Sequence, residues 1–344
     1  MINHRHVATE KGGPEVLEWQ EFEPGPPQHG EVAVKVEAAG VLLADVLWQL
    51  GIAPVGPKPP FTPGYDVVGV IEEVGPGVRG LERGQRVAAL IQYGGYTEYA
   101  ILPTEKIVPV PEEVDPRSAA AATTSYLTAY MLIHNEGQLK SGDVLLAHGA
   151  GGGTGSAVVE VANLAGVKVY GTASKMKSAL VEAKGGLPID YKAQDFVEIL
   201  RTREPGGVDF IVDPIGGEVT ARSLPLLKRG GKLVSTAMIQ SMQDGASRMA
   251  VPFGMLRLWL WSVTHPGKKA YFWDVTAASS KDLGHYRKSL TAVFDMLSKG
   301  QIKPEIGEVL TLEEAPKAQQ MLLDFKVQGK VVLVSSADLA PGTP

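Results

Sequence analysis

The sequence predicts an α/β fold: a doubly wound parallel sheet with helices on both faces, joined to a smaller β-rich domain. Three observations predict it. A bend almost free of side chains, His148-Gly149-Ala150-Gly151-Gly152-Gly153-Thr154-Gly155, lies between an apolar run and a helical pattern. From about Thr123 to Ala277 strand and helix patterns alternate, as parallel strands covered on both faces require. Before about Ala122 the chain is rich in Gly and Pro with short β-branched runs, which reads as a compact, mostly antiparallel β domain.

Taken in order, residues 31–36, 67–73 and 85–91 read as strands of the first domain. In the second, residues 144–147 form the first strand and a helix begins near Thr154. Ala157, Val158, Val159, Val161, Ala162, Leu164 and Ala165 keep helical spacing, Gly166 ends the helix, and residues 168–172 form the second strand. Residues 189–191, 209–212, 231–235 and 269–275 supply the remaining strands. Amphipathic helices near 286–297 and 313–325 and a strand at 330–334 then return to the first domain. The expected division is 1–122 with 278–344 against 123–277, with a loose tail at 335–344.

With 344 residues, of which 44% are hydrophobic and 21% charged, the chain can bury a large core and is long enough for two domains. Its 33 basic and 38 acidic residues leave a net charge of −5, so no broad basic field exists for nucleic acid. Cysteine is absent, which excludes disulfides, a thiol nucleophile and thiolate zinc sites. Redox chemistry must therefore come from a bound cofactor. Residues 1–6 lack the apolar core of a secretory signal and no apolar span is long enough for a bilayer, so a cytoplasmic protein without a membrane span is expected.

The glycine bend carries the chemistry. A strand-to-helix turn without Cβ atoms lets a diphosphate approach the backbone, and the free N–H groups and positive dipole of the helix favour its charge. The spacing is Ala150-x-Gly152-x-x-Gly155, with Ala at the first of the three usual glycines. A flexible loop or a methyltransferase can carry a similar turn. An NAD or methyl-donor site places Asp or Glu about 20 residues on, to hold the ribose hydroxyls. Here the second strand ends in Ala173-Ser174-Lys175-Met176-Lys177. With no carboxylate to repel it, a 2′-phosphate could take the Ser174 hydroxyl and the ammonium of Lys175 or Lys177, which favours NADPH.

A series of landmarks along nearly the whole chain then resembles one family. They are Gly40-Val41-Leu42-Leu43-Ala44-Asp45, Pro63-Gly64-Tyr65-Asp66-Val67-Val68-Gly69, Gly84-Gln85-Arg86-Val87, Gly94-Gly95-Tyr96-Thr97-Glu98-Tyr99, Leu127-Thr128-Ala129-Tyr130, the glycine turn, Asp213-Pro214-Ile215-Gly216-Gly217 and Gly329-Lys330-Val331-Val332-Leu333. In this order they resemble the medium-chain dehydrogenase/reductase family, its zinc-independent quinone oxidoreductase branch in particular. The resemblance implies a Rossmann domain binding NADP(H) and a GroES-like catalytic domain. Zinc alcohol dehydrogenases of that family have Gly-His-Glu where this chain has Gly64-Tyr65-Asp66, so a Lewis-acid alcohol oxidation is not expected and no metal is assigned.

The resemblance also places residues. The adenosine side falls against Ser174, Lys175 and Tyr191 and the diphosphate on Gly152, Gly153 and Thr154, within a cofactor-binding turn that also takes in Gly149, Ala150, Gly151 and Gly155. The nicotinamide end falls near Thr128, Ile215, Gly216, Thr236, Ala237 and Lys330. Two departures stand out: Leu42 replaces the usual Asn that faces the nicotinamide ribose or substrate, and Ile52 and Ala53 occupy the stretch where enoyl reductases carry a tyrosine.

The expected reaction is hydride delivery from NADPH to an electrophilic acceptor, a quinone or an alkene conjugated to a carbonyl. Asp45, Tyr65 and Tyr96 are the candidates for stabilising or protonating the product anion, with Tyr93 close to the substrate; each also has a structural reading, Asp45 as a helix cap and the tyrosines as packing. Residues 253–261, with Trp259 and Trp261, either line a pocket for a bulky apolar acceptor or face a second copy in a homodimer. A rival reading is a cofactor-binding protein with little turnover, since some members of the branch resemble vesicle-associated or lens structural proteins.

Overall fold

In a computed structural model the chain divides into two compact units, Met1–Leu127 with Ala278–Pro344, and Thr128–Ala277. Residues 2–52, 56–240 and 250–336 are described, so Ala53 and most of the expected tail at 335–344 lie outside. The division falls a few residues beyond the change of pattern at 122–123, because the helix Pro116–Tyr130 runs through it.

The first unit opens with an antiparallel hairpin, β1 (Asn3–Ala8) and β2 (Leu17–Phe22), which the sequence pattern had not announced. Then come β3 (Glu31–Val41), β4 (Asp66–Val74), β5 (Arg86–Leu90), β6 (Tyr99–Pro103) and β7 (Ile107–Pro109). Alternate valines of β3, Val32, Val34 and Val36, bury with Val67, Ile71 and Val87 in one core. β-branched side chains suit such a pleated, covered face.

The second unit holds β8 (Val144–Ala147), β9 (Lys168–Ala173), β10 (Leu187–Asp190), β11 (Val208–Asp213), β12 (Leu227–Ser235) and β13 (Lys269–Phe272). They form a parallel six-stranded sheet in the order β10-β9-β8-β11-β12-β13. Leu145, Leu146 and Ala147 are buried on both faces, as the continuous apolar run requires. The chain winds outward from β8 to β10, then restarts at β11 and winds the other way. The winding reverses between β8 and β11, the kind of switch point at which such sheets bind ligands at the carboxyl ends of their strands.

The chain returns to the first unit with β14 (Ile306–Thr311) and β15 (Lys330–Val334). Its seven-stranded sheet runs β14-β15-β3-β4-β5-β7, with β6 pairing β3. Among the element boundaries that differ from expectation, two bear on how the chain returns to the first unit. The strand expected at 269–275 stops at Phe272, because Asp274 accepts from the Ala277 N–H at 2.8 Å and opens the helix Val275–Lys281. The helix expected at 313–325 is a short turn, Leu312–Glu314, followed by Ala315–Leu323.

Candidate functional site: a bare turn and a buried charge cluster

The glycine bend joins β8 to the helix Gly153–Leu164 at the point where the winding reverses. Gly149 has φ +66°, a conformation costly for any residue with a Cβ. The helix N-cap, Gly152, offers no side chain to the first turn, so the amides of Gly153, Thr154 and Gly155 face outward without an intrahelical acceptor. A Cβ on Gly152 would meet nothing nearer than 3.5 Å, whereas one on Gly155 would lie 2.1 Å from the Gly149 carbonyl oxygen. The turn is thus open toward the ligand side and tightly packed beneath. The Ala150 methyl fits because its neighbour on β9 is Gly171, where a Cβ would come within 2.8 Å of it.

Other predicted nucleotide residues gather at the carboxyl ends of the same strands. Ser174 and Lys175 follow β9, Tyr191 follows β10, Ile215 and Gly216 follow β11, and Thr236 and Ala237 follow β12. Lys175 and Tyr191 are exposed, Tyr191 by 57%. Lys177 is the better-placed cation: a Cβ at Gly151 would touch its stem at 2.5 Å, so this side chain lies along the turn. Burial pushes its ammonium below the usual lysine range. Thr128 is buried within its helix.

Two shaping residues carry no assignment from the sequence. Asp213 accepts from the N–H groups of Ile215 and Gly216 at 2.8 and 3.1 Å and from the Thr220 hydroxyl, which fixes the loop after β11. His148, wholly buried, bridges the hydroxyls of Thr172 and Ser223 at 2.9 and 2.8 Å. It ties the start of the turn to β9 and to the helix Gly217–Ser223. Their signal was position alone, each standing at the end of a strand that leads into a glycine turn.

The first unit contains a second arrangement of opposite character. Asp45, Asp66, Tyr96 and Lys330 are all 5% exposed or less. Asp45 accepts from the N–H groups of Leu42 at 2.9 Å and Gly64 at 3.2 Å and from the Tyr96 hydroxyl at 2.8 Å. It caps the helix Leu43–Gln49, and burial pushes its carboxyl up to about 7. Tyr96, with no exposed surface, is driven well above the usual phenol range by burial and by Asp45. Lys330 is lowered by burial, against the attraction of Asp66 and Asp45. Tyr65 is buried and packs at a tilt against Trp48 with ring centroids 5.1 Å apart; Tyr93, half exposed, lies 6.4 Å from the same indole. Leu42 is partly buried at the start of that helix.

Trp259 is 60% exposed on the helix Ala250–Thr264, whose opposite side sends Leu258 and Trp261 into the core of the second unit. Phe253, Leu256, Leu260 and Val263 are also exposed on it. Met255 and Trp259 border a groove of about 870 Å³ along β13, the edge strand of the parallel sheet.

These features define a class: a doubly wound parallel sheet inserted in sequence into a β-rich unit. Residues 28–112 match the profile described as alcohol dehydrogenase GroES-like domain, and residues 186–333 the one described as zinc-binding dehydrogenase. The chain is 32% identical over 320 residues to the synaptic vesicle membrane protein VAT-1 homolog of Rattus norvegicus, covering 90% of this chain and 78% of that protein. It is 30% identical over 339 residues to a 2-haloacrylate reductase of a Burkholderia species, covering 96% and 98%. A solved structure of Escherichia coli quinone oxidoreductase complexed with NADPH superposes with a TM-score of 0.86 at 25% identity, over 96% of this chain and 99% of that one. The chain belongs to the medium-chain dehydrogenase/reductase family. Zinc, named in one profile, finds no fit: cysteine is absent, and among the described residues no three His, Asp or Glu side chains come together to hold a metal. Among the described residues no helix is long and apolar enough to cross a membrane.

Proposed function

We propose that this chain is a zinc-independent oxidoreductase that uses NADPH to reduce a quinone or a carbonyl-conjugated alkene. The observation that carries the reading is the bare turn at 149–155, open above Gly152, with the Lys177 stem along it and no carboxylate at the end of β9. The first-turn amides of Gly153, Thr154 and Gly155 would hold the diphosphate. Ser174, Lys175 and Lys177 would hold the 2′-phosphate, and Tyr191 would cover the adenosine. Thr128, Ile215, Gly216, Thr236, Ala237 and Lys330 are assigned to the nicotinamide end by the family resemblance. Bound there, the cofactor supplies a hydride from its C4 position.

The chain's own tasks are then to orient, to exclude water and to accommodate the acceptor. Leu42 and Tyr93 present apolar or aromatic surface, which suits a bulky, weakly polar acceptor. The similarity to a 2-haloacrylate reductase and to a quinone oxidoreductase supports both acceptor classes. Tyr65, Tyr96 and Asp45 serve better as scaffold than as proton donors: all are buried, and both Asp45 oxygens already accept hydrogen bonds. Solvent then protonates the product anion.

We also assign the exposed face of the helix Ala250–Thr264 to a second copy of the chain. The uncovered edge of β13 lies beside it, and antiparallel pairing of two such edges across a two-fold axis would satisfy the strand and cover the apolar side chains together.

The similarity to vesicle membrane proteins and the apolar Leu42 favour a second reading, a nucleotide-binding protein with little turnover. The test is NADPH oxidation against a panel of quinones, enones and haloacrylates, with cofactor affinity measured by calorimetry and assembly by sedimentation velocity. Turnover with at least one panel member is expected from a dimer. Binding without turnover selects the second reading, and absence of binding removes both.

A further inference from the structure

We infer that Asp66 is a positioning residue for Lys330, a buried carboxylate that keeps the lysine ammonium charged and directed across the bare backbone of Gly40. The inference rests on the placement of Lys330 at the nicotinamide end proposed above.

The topology brings the three residues together. β3 is antiparallel to its neighbours β15 and β4, so the end of β3 lies beside the beginnings of the other two. Lys330 opens β15, Asp66 opens β4, and Gly40 stands near the end of β3, opposite Val332. The two side chains reach over the central strand from opposite sides. A Cβ at residue 40 would lie 2.7 Å from Lys330 Cε and 2.8 and 3.0 Å from the Asp66 oxygens. Glycine at 40 therefore leaves open the space across which the lysine stem and the carboxylate face each other.

Asp66 is held on two sides. The Gly40 N–H donates to Oδ1 at 2.6 Å, and the Thr124 hydroxyl donates to Oδ2. Burial pushes the Asp66 carboxyl above the usual carboxylate range, against the pull of Lys330 and these donors. The other titratable groups facing the pair are Asp45 from the helix Leu43–Gln49, Tyr96 bonded to Asp45, and Tyr286 from the helix Leu283–Ser298. Asp45 adds a weaker attraction for the ammonium than Asp66, the carboxylate that shares the space over Gly40 with the lysine stem. An ammonium left in this setting without its counter-charge gives up its proton more readily.

Asp66→Asn tests the charge alone, because an amide can still accept from Gly40 and donate to Thr124. NADPH affinity is measured by calorimetry from about pH 6 to pH 9 in wild type, Asp66→Asn, Lys330→Gln and the double variant. The expected result is a gap between wild type and Asp66→Asn that widens with pH to about tenfold, as Lys330 loses its proton, with no further loss on adding Asp66→Asn to Lys330→Gln. A pH-independent gap, no gap, or additive losses overturn the inference. Melting temperatures keep the test open should Asp66→Asn fold poorly. Removing both charges together should restore stability relative to Asp66→Asn, and a double variant less stable than that single variant also overturns the pairing. A wild-type chain that binds no NADPH retires the cofactor reading instead, and leaves the stability comparison to judge the pair.

Discussion

The glycine turn of the second unit and the charge cluster of the first are built on opposite principles. At the turn, side chains are withdrawn so that backbone amides meet the solvent, and Gly155 packs against the Gly149 carbonyl with no space for a methyl. In the cluster, Asp45, Asp66, Tyr96 and Lys330 are shut away from solvent, and each group is supported by another. The difference teaches where each is vulnerable. The turn fails when atoms are added; the cluster answers to changes in the balance of its charges.

The largest effect is expected from adding atoms at the turn. Gly155→Ala sets a Cβ 2.1 Å from a backbone oxygen, so the backbone must move. We expect a loss of about 3 kcal/mol in urea unfolding and no measurable NADPH binding. Wild-type affinity in this variant would break the contrast.

A smaller effect is expected from the cluster. Burial raises the folded value of Asp45 from 3.8 to about 7, so the folded chain holds a proton that the unfolded chain has released over that window. Its contribution is complete below the ordinary carboxylate range and is lost as pH rises toward 7. Asp45→Asn should flatten the fall in unfolding free energy across this window, measured against wild type in parallel denaturant titrations. An unchanged slope would assign the pH dependence to other groups.

The smallest effect sharpens the turn itself. Lys177→Ala should weaken NADPH by about tenfold, near 1.4 kcal/mol, and leave NADH unchanged, while the exposed Lys175→Ala loses less. Equal losses for both coenzymes would remove the 2′-phosphate from this position.

Much of the second unit was legible because its signals are local. The apolar run at 144–147, the turn and the helical spacing to Gly166 lie within one strand-turn-helix stretch, and β8 and the helix Gly153–Leu164 follow them closely. The Lys269–Phe272 strand was overextended because Trp273 and Val275 look β-like, while the Asp274 cap that ends the strand acts through a hydrogen bond. In the first unit Asp45 and Tyr96 stood out as chemistry-bearing types. That they bind each other depends on bringing residues 51 positions apart together. Asp66 was visible in a landmark and Lys177 just after the second strand, but only the fold shows what each lies against.

The sequence by itself determined the doubly wound class, the position of the nucleotide turn and the absence of thiolate chemistry, because periodicity, glycine spacing and composition are properties of neighbouring residues. Only the tertiary structure decided which side chains are withdrawn from solvent and which charges meet. Lys330 and Asp66 come within reach of each other because β15, β3 and β4 are adjacent in the sheet, and burial and Coulomb attraction depend on distance in space, not on distance along the chain.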